Sequence, residues 1–506
     1  MAGRAALALL SGALVILSFP PTDAGPLAFV ALVPVLLACR GASRRAALGL
    51  GLAFAVVASV GVFLWIFRVK GFGALQALVL GPYFYVFGTV WCLLLPRLWR
   101  DPRVLLAGAP AAWTALDFLR AHAGFLSFPW ATLAQSQHAN LAGLQIASVA
   151  GEPGVTFLVA LANAALALLV AGTGRRAALL ALAAVLSAHG AGAWVLGRPL
   201  PGPRLSLAAV QPCLTPEERA SEPGREASLE RLARLTRSAV QAARPDLVAW
   251  PETSVPGAPE GSPLAARLVK IAAETGTPLL VGAADREKFR KEVPGGAPAV
   301  DTRVTNAAHL YTPDGESGPP YRKMLLVPFA EYRPLEPAFR WPTWVVPHLF
   351  DVTPGTERRL FRLGDGTPFS VLICWESLFA PFVRRDVAGG AALLVHITND
   401  HWFGRTAASR QHNLASILRA VENRVPVLLS SNAGPSLVID ARGRVVGSGP
   451  GVFEEGFSAG GVALAPGGTF YTRVGDSFAW GCVAAALLCL AVPVRRGAGR
   501  VSPLSW

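Results

Sequence analysis

The chain has 506 residues, of which 52% are hydrophobic and only 15% charged, with a formal net charge of +14. Soluble domains average roughly 25% charged residues, so this composition, with a mean hydropathy of +0.44, excludes an ordinary soluble protein and points to a membrane protein. Much of the positive charge sits in short loops between apolar runs, which argues against nucleic-acid binding. The six cysteines (Cys39, Cys92, Cys213, Cys374, Cys482 and Cys489) have neither disulfide-framework nor metal-type spacing.

Apolar runs recur through the first two hundred residues. Spans are expected near Ala5–Leu17, Leu27–Cys39, Ala46–Phe67, Phe72–Leu95, Val104–Leu119, Ala147–Ala171 and Ala177–Leu196, with an eighth near Phe478–Val494. The first reads as a retained helix, because no small-x-small cleavage site stands out before Pro20-Pro21. On one side, alternate loops hold Arg4, Arg40, Arg44, Arg45, Arg97, Arg100, Arg103, Arg175, Arg176, Arg495, Arg496 and Arg500. The other side's short loops hold Arg68, Lys70, Arg120 and Arg198. Twelve basic residues against four place both termini in the cytoplasm and the polar stretch Pro201–Arg473 outside it. Arg68 and Lys70 read as interfacial snorkelling residues. The segment Ala121–Asn140 is too polar to span, and reads either as a surface loop or as a partly embedded lip.

From Pro203 the pattern changes. Strands are expected at Leu205–Gln211, Pro245–Trp250, Pro278–Ala283, Ala307–Tyr311, Ser370–Ile373, Leu393–Thr398, Val427–Ser430 and Leu437–Ile439. Helices are expected at Arg225–Ala243, Pro263–Glu274 and between Ala408 and Asn423. Alternating strands and helices imply an α/β layer domain. Arg286–Val304, with Lys288, Arg290, Lys291 and a Pro-Gly-Gly, reads as an exposed, mobile loop. The expected domains are therefore a seven-helix transmembrane region over 1–200, an extracytoplasmic catalytic domain over 201–473, and a final helix with its tail over 474–506.

Three stretches carry chemistry. Trp250-Pro251-Glu252 sets a carboxylate after a strand. Tyr321-Arg322-Lys323 is followed, eight residues beyond the lysine, by Glu331. Val371-Leu372-Ile373 is a short apolar strand that delivers Cys374, Trp375 and Glu376. Taken alone, Cys374 reads more readily as a packing residue, since free cysteines are commonly buried. With Glu252 as base and Lys323 as cation it becomes a nucleophile able to hold an acyl group as a thioester. No Gly-x-Ser-x-Gly elbow surrounds a strand end, His396, His401 and His412 lack zinc spacing, and no phosphate loop precedes a helix, so neither metal nor cofactor is expected.

In this order the motifs resemble the nitrilase, or carbon–nitrogen hydrolase, superfamily, and with the membrane frame they resemble its apolipoprotein N-acyltransferase family. The resemblance also rests on Asn399-Asp-His-Trp-Phe-Gly404, Gln411-His412, Arg419-Ala-Val-Glu422 and Asn432-Ala-Gly434. It implies a polytopic helical domain of about eight spans joined to an αββα sandwich. It implies Glu252 as general base, Lys323 as oxyanion-side cation and Cys374 as nucleophile, with Glu331 and Glu376 orienting the lysine or an incoming amine. The donor would be a phospholipid of the phosphatidylethanolamine type, and the acceptor the α-amino group of a diacylglyceryl cysteine on an apolipoprotein. The location would be a bacterial inner membrane, with catalysis on its periplasmic face. Trp402, Phe403 and Phe329 read equally as a hydrophobic entrance or as core. Trp375 stands where many members have Tyr, and no Trp follows Val210-Gln211 as it does in many members. The alternatives are a membrane-anchored amidase and a non-catalytic transporter or scaffold.

Overall fold

The computed structural model describes residues 2–69, 73–258, 261–291, 299–316, 318–336, 338–342, 351–465 and 467–491. Contacts divide the chain into two units, one drawn from Met1–Pro199, Thr406–Leu414 and Thr469–Trp506, the other from Leu200–Arg405 and Ala415–Gly468.

The first unit is helical. Four of its helices are long and apolar enough to cross a membrane: Arg44–Val62, Ala74–Leu98, Ala147–Val170 and Arg175–Leu196. Ala2–Leu17, Gly25–Cys39 and Ser477–Ala491 are apolar but shorter. Pro102–Ala121 is long but carries Arg103, Asp117 and Arg120. Eight spans were expected, so the structure supports four of them by length and composition. The last three residues of the expected span Phe478–Val494 lie outside the described residues, as do Lys70 and the arginines after Val494.

The expected span at Leu27–Cys39 is broken into Gly25–Leu27, Ala28–Ala31 and Val33–Cys39. Pro34 cannot donate into the ladder, and backbone groups freed among apolar side chains need partners from within the protein. Asn163 supplies two of them, accepting from the Leu32 N–H and donating to the Ala28 carbonyl, while the Ser11 hydroxyl oxygen accepts from the Val35 N–H. The helix Ala147–Val170 is interrupted at Gly151, whose φ of 67° and closeness to the Tyr471 ring leave no room for a side chain. The polar segment Ala121–Asn140 is divided: His122, Gly124 and Leu126 are exposed, whereas Trp130 and Thr132–Gln137 are buried. Gln135 donates to the Pro129 carbonyl and to Glu152, and the Thr132 hydroxyl also donates to Glu152.

The second unit is built on fourteen strands among the described residues. They are β1 (Arg204–Gln211), β2 (Leu247–Ala249), β3 (Val255–Pro256), β4 (Leu279–Lys291), β5 (Ala299–Thr312), β6 (Gly315–Glu316), β7 (Tyr321–Arg322), β8 (Leu360–Arg362), β9 (Pro368–Ile373), β10 (Leu393–Thr398), β11 (Val427–Ser431), β12 (Leu437–Ile439), β13 (Val445–Ser448) and β14 (Gly456–Ala463). One sheet runs β14-β1-β2-β4-β5-β6, with β3 on β4 and β7 on β5; the other runs β13-β12-β11-β10-β9-β8. Their centres are parallel, β1–β2–β4 and β9–β10–β11.

The two sheets face each other through one core. Leu207, Ala209, Leu247, Leu280 and Leu310 of the first meet Phe369, Val371, Ile373, Val395 and Leu428 of the second. Alternate residues of the first sheet, among them Val210, Val248, Trp250 and Val281, turn outward onto Leu229, Leu232, Leu268 and Ala272 of the helices Glu222–Ala243 and Pro263–Thr275. Each fully buried leucine contributes about 1.5–3 kcal/mol relative to exposure. The second sheet is covered in turn: the Ser370 hydroxyl donates to Asp386 of the helix Ala380–Ala388, and His396 bonds Ser416 of the helix Ala408–Asn423. The layers are therefore α, β, β, α, as expected. One expectation needs correction. Much of Arg286–Val304 is a hairpin rather than a loop, paired from Arg286↔Val304 to Lys291↔Ala299; residues 292–298, with the Pro-Gly-Gly, lie outside the described residues.

Candidate active site

The site forms where parallel strands run out. Beyond β2 the chain reaches Glu252, beyond β9 it reaches Cys374, and beyond β10 it reaches Asn399, while Lys323 follows β7. Ligands and chemistry gather at such carboxyl ends because the loops there are free to vary while the strands fix their starting points. Cys374 opens the 3-10 turn Cys374–Leu378 with a φ of 53°. That left-handed conformation costs a non-glycine residue roughly 1–2 kcal/mol, so its surroundings must hold it there. Its carbonyl accepts hydrogen bonds from the Ser377 hydroxyl at 3.1 Å and from the His396 ring at 3.2 Å.

The three expected triad residues come together. Lys323, only 1% exposed, places its Nζ 2.8 Å from Glu331 Oε1 and 3.6 Å from Glu252 Oε1. Glu252 is held on both oxygens: Asn306 donates to Oε1 at 2.6 Å and the Asn399 backbone N–H to Oε2 at 2.8 Å. The electrostatics follow from burial. Burial works against the Lys323 charge, but Glu331, Cys374 and Glu252 outweigh it and hold the ammonium above its ordinary value. Burial pushes the Cys374 thiol well up, the Glu252 carboxylate pushes the same way, and Lys323 pulls it back. At rest the sulfur therefore carries its proton, and an adjacent carboxylate is needed to take it during attack.

The supporting residues divide. Glu331 Oε1 accepts from the Lys323 ammonium, and its second oxygen accepts from the Val327 N–H. Glu376, fully buried, accepts from the Tyr321 hydroxyl and from the backbone N–H groups of Met324, Leu325 and Ile373, tying the stretch after Lys323 to the end of β9. Burial pushes its carboxyl up to about 7 against those four lowering bonds. Trp375 is buried edge-on against Phe379. Of the entrance candidates, Trp402 is 44% exposed, while Phe403 and Phe329 are half-buried, Phe329 edge-on to Trp341. None of the three is a core residue. Among the described residues no group of three His, Cys, Asp or Glu side chains is placed to hold a metal ion.

Sequence reasoning did not single out Asn306 or Arg219; it named Tyr321 only as part of a motif and weighed His396 only as a metal ligand. Arg219 donates to Thr253, directly after Glu252, at 3.1 Å, and its guanidinium feels the Glu252 charge. His396 left one signal, a polar residue interrupting an apolar strand, and a buried polar residue is the informative kind; Asn306 precedes the expected strand and left none.

Residues 206–467 match the carbon–nitrogen hydrolase family model, and residues 11–165 match that of the apolipoprotein N-acyltransferase N-terminal domain. The catalytic unit is thus of the carbon–nitrogen hydrolase class, joined to a helical region with its own family signature. Among curated proteins, the apolipoprotein N-acyltransferase of Geobacter metallireducens is 34% identical over 97% of this chain and 95% of its own length. That of Chlorobaculum tepidum is 30% identical over 97% and 96%, and that of Brucella melitensis biotype 1 is 31% identical over 88% and 87%. The chain belongs to the apolipoprotein N-acyltransferase family. A membrane-anchored amidase, the second expectation, does not fit that membership. Saccharomyces cerevisiae Nit3, a member of branch 10 of the nitrilase superfamily, is similar at 19% identity over 59% of this chain and 97% of its own, with a TM-score of 0.39.

Proposed function

We propose that this protein transfers an acyl chain from a membrane phospholipid, through a thioester on Cys374, to the α-amino group of the diacylglyceryl cysteine at the N-terminus of an apolipoprotein. What supports this reading is the convergence on Lys323 of the Glu252 and Glu331 carboxylates, with its charge felt at Cys374, in a chain that is family-like from end to end.

In the first step Glu252 takes the thiol proton as the sulfur attacks the ester carbonyl carbon. The C–S bond forms and the carbonyl electrons move onto oxygen, where Lys323 meets the developing charge. Collapse breaks the ester C–O bond, and the proton on Glu252 goes to the departing oxygen, releasing a lysophospholipid. In the second step the acceptor amine attacks the thioester carbonyl, the C–S bond breaks, and the amine proton returns the thiol. Each half uses the site once, which is ping-pong transfer. Between the halves water must be kept from the thioester, and Trp402, Phe403 and Phe329 supply an apolar rim for the acyl chain. A phosphatidylethanolamine-type donor fits the reading.

The chain is divided in this proposal as 1–200 (seven membrane helices), 201–473 (catalytic domain) and 474–506 (last helix and tail). The protein sits in a bacterial inner membrane with eight spans, its catalytic domain on the periplasmic face and both termini in the cytoplasm. The arginine asymmetry of the loops supports this orientation. The test is peptide mass spectrometry after mixing purified protein with phospholipid and no acceptor. An acyl mass on the Cys374 peptide, discharged by a lipopeptide carrying the free amine, is expected; its absence would sink the thioester.

A further inference from the structure

His396 lies on β10, sealed from solvent, where the neighbouring strand positions are Val395 and Ile397. Its Nε2 is 3.2 Å from the Cys374 carbonyl oxygen and its Nδ1 is 2.9 Å from the Ser416 hydroxyl. A carbonyl oxygen only accepts, so Nε2 carries the proton. Ser416 can then donate to Nδ1, and one neutral tautomer satisfies both contacts. The Ser377 hydroxyl donates to the same carbonyl at 3.1 Å.

The Cys374 carbonyl and the Trp375 N–H belong to one planar, trans peptide unit, so they point in opposite directions. Whatever fixes the carbonyl also aims the N–H. Rotating this peptide about the bonds that flank it, which changes ψ of Cys374 and φ of Trp375, would swing the N–H away. We infer that His396 is a positioning residue: by holding the Cys374 carbonyl it aims the Trp375 N–H at the oxygen that becomes negative when Cys374 attacks an ester. Lys323 then supplies one donor to that oxygen and the peptide the other. The inference rests on the thioester reading above.

The experiment uses the full chain in phospholipid nanodiscs, comparing wild type with His396→Phe, His396→Gln and Ser377→Ala. Phe keeps a planar ring without the donor; Gln keeps a donor and an acceptor. Two rates are read: acylation of Cys374 at saturating phospholipid, and alkylation of Cys374 by iodoacetamide, a displacement that builds no oxyanion. Loss of an oxyanion donor slows acyl transfer about 10²-fold or more. His396→Phe should slow acylation by that order, with the half-saturating phospholipid concentration unchanged and alkylation within about threefold of wild type. His396→Gln should recover most of the rate. Ser377→Ala, which removes the other donor to the same carbonyl, should lose about tenfold and so carries the test even if the Phe variant does not fold. Acylation of the folded His396→Phe protein at the wild-type rate would overturn the inference. So would equal slowing of acylation and alkylation, a Gln variant as slow as Phe, or, where the Phe variant does not fold, a wild-type rate in Ser377→Ala. Absence of acylation in the wild type would instead remove the thioester reading itself.

Discussion

Gln411, in the helical unit, and Lys323, in the sandwich, are both long polar side chains sealed from water, at 2% and 1% exposure, and they are treated in opposite ways. The Gln411 amide is saturated by neutral partners. Its oxygen accepts from the indole N–H groups of Trp65 and Trp130, and its nitrogen donates to the carbonyls of Pro20 and Val62. The Lys323 ammonium is surrounded by ionisable groups, with one carboxylate in contact, another at 3.6 Å, and a thiol whose proton it disfavours. A closed set of neutral hydrogen bonds specifies one arrangement and offers nothing to a reactant. A set of buried charges beside a strained cysteine keeps its energy in groups that change protonation state. Buried polarity alone therefore does not mark a reactive site; buried polarity that is ionisable and geometrically strained does.

The contrast is broken most severely at its reactive end. Cys374→Ala removes the sulfur proposed to carry the acyl group, and acylation of a lipopeptide by the full chain should fall by about 10⁴-fold or more with the thermal midpoint nearly unchanged. Retained activity within tenfold of wild type would mean that the sulfur is bystander packing. Lys323→Met comes next and should injure both properties. It leaves Glu331 and Glu252 buried without their cation, a loss of about 3–5 kcal/mol in denaturant unfolding. It also removes a charge from the oxyanion side, slowing acylation of Cys374 about 10³-fold in the folded fraction.

At the neutral node the two effects should separate. Gln411→Met leaves two indole donors and two carbonyls without the partner they share, at about 1 kcal/mol or more each, so unfolding should be easier by about 4 kcal/mol. The acylation rate of Cys374 per folded molecule should stay within about threefold. A variant of unchanged stability but lost acylation would erase the distinction between the two clusters.

Much of the sandwich was legible because its central strands are buried on both faces and read as continuous apolar runs. Leu393–Thr398 and Leu437–Ile439 were bounded to the residue, as was the helix Ala408–Asn423. The outer arms of β4 and β5 were missed because Arg286, Glu287 and Lys288 are exposed and carry no alternation for a pattern to detect. The break in the second apolar run was invisible for another reason. Asn163, which satisfies it, stands more than a hundred residues along the chain. The site divides along the same line: Glu252, Lys323 and Cys374 announce themselves at strand ends, whereas Asn306 and His396 act through contacts made only after folding. Glu376 was recognised as acidic and close, but the three backbone N–H groups it accepts from become visible only in the fold.

Glu376 also gives the comparison its mildest and most specific test, since it is ionisable and Gln411 is not. Burial raises its carboxyl from 4.5 to about 7, so between those values the folded protein keeps a proton that the unfolded chain releases. The resulting stabilisation is fully present below about pH 4.5 and is lost as the pH rises through about 7; the whole shift corresponds to about 3 kcal/mol. Glu376→Gln cannot titrate, and it also sets an amide N–H₂ against one of the N–H groups that the carboxylate accepted. The informative quantity is therefore the change with pH and not the offset at any one pH. Denaturant unfolding of both proteins at pH 5 and pH 8 should show the wild type losing up to about 3 kcal/mol relative to the variant as the pH rises. The same pair of measurements on wild type and Gln411→Met should give a difference that does not move. A Glu376 difference that is flat, or that grows toward pH 8, would mean that the four hydrogen bonds to this carboxylate outweigh its burial, and the charged form would then be the one that fastens the Lys323 stretch to the nucleophile.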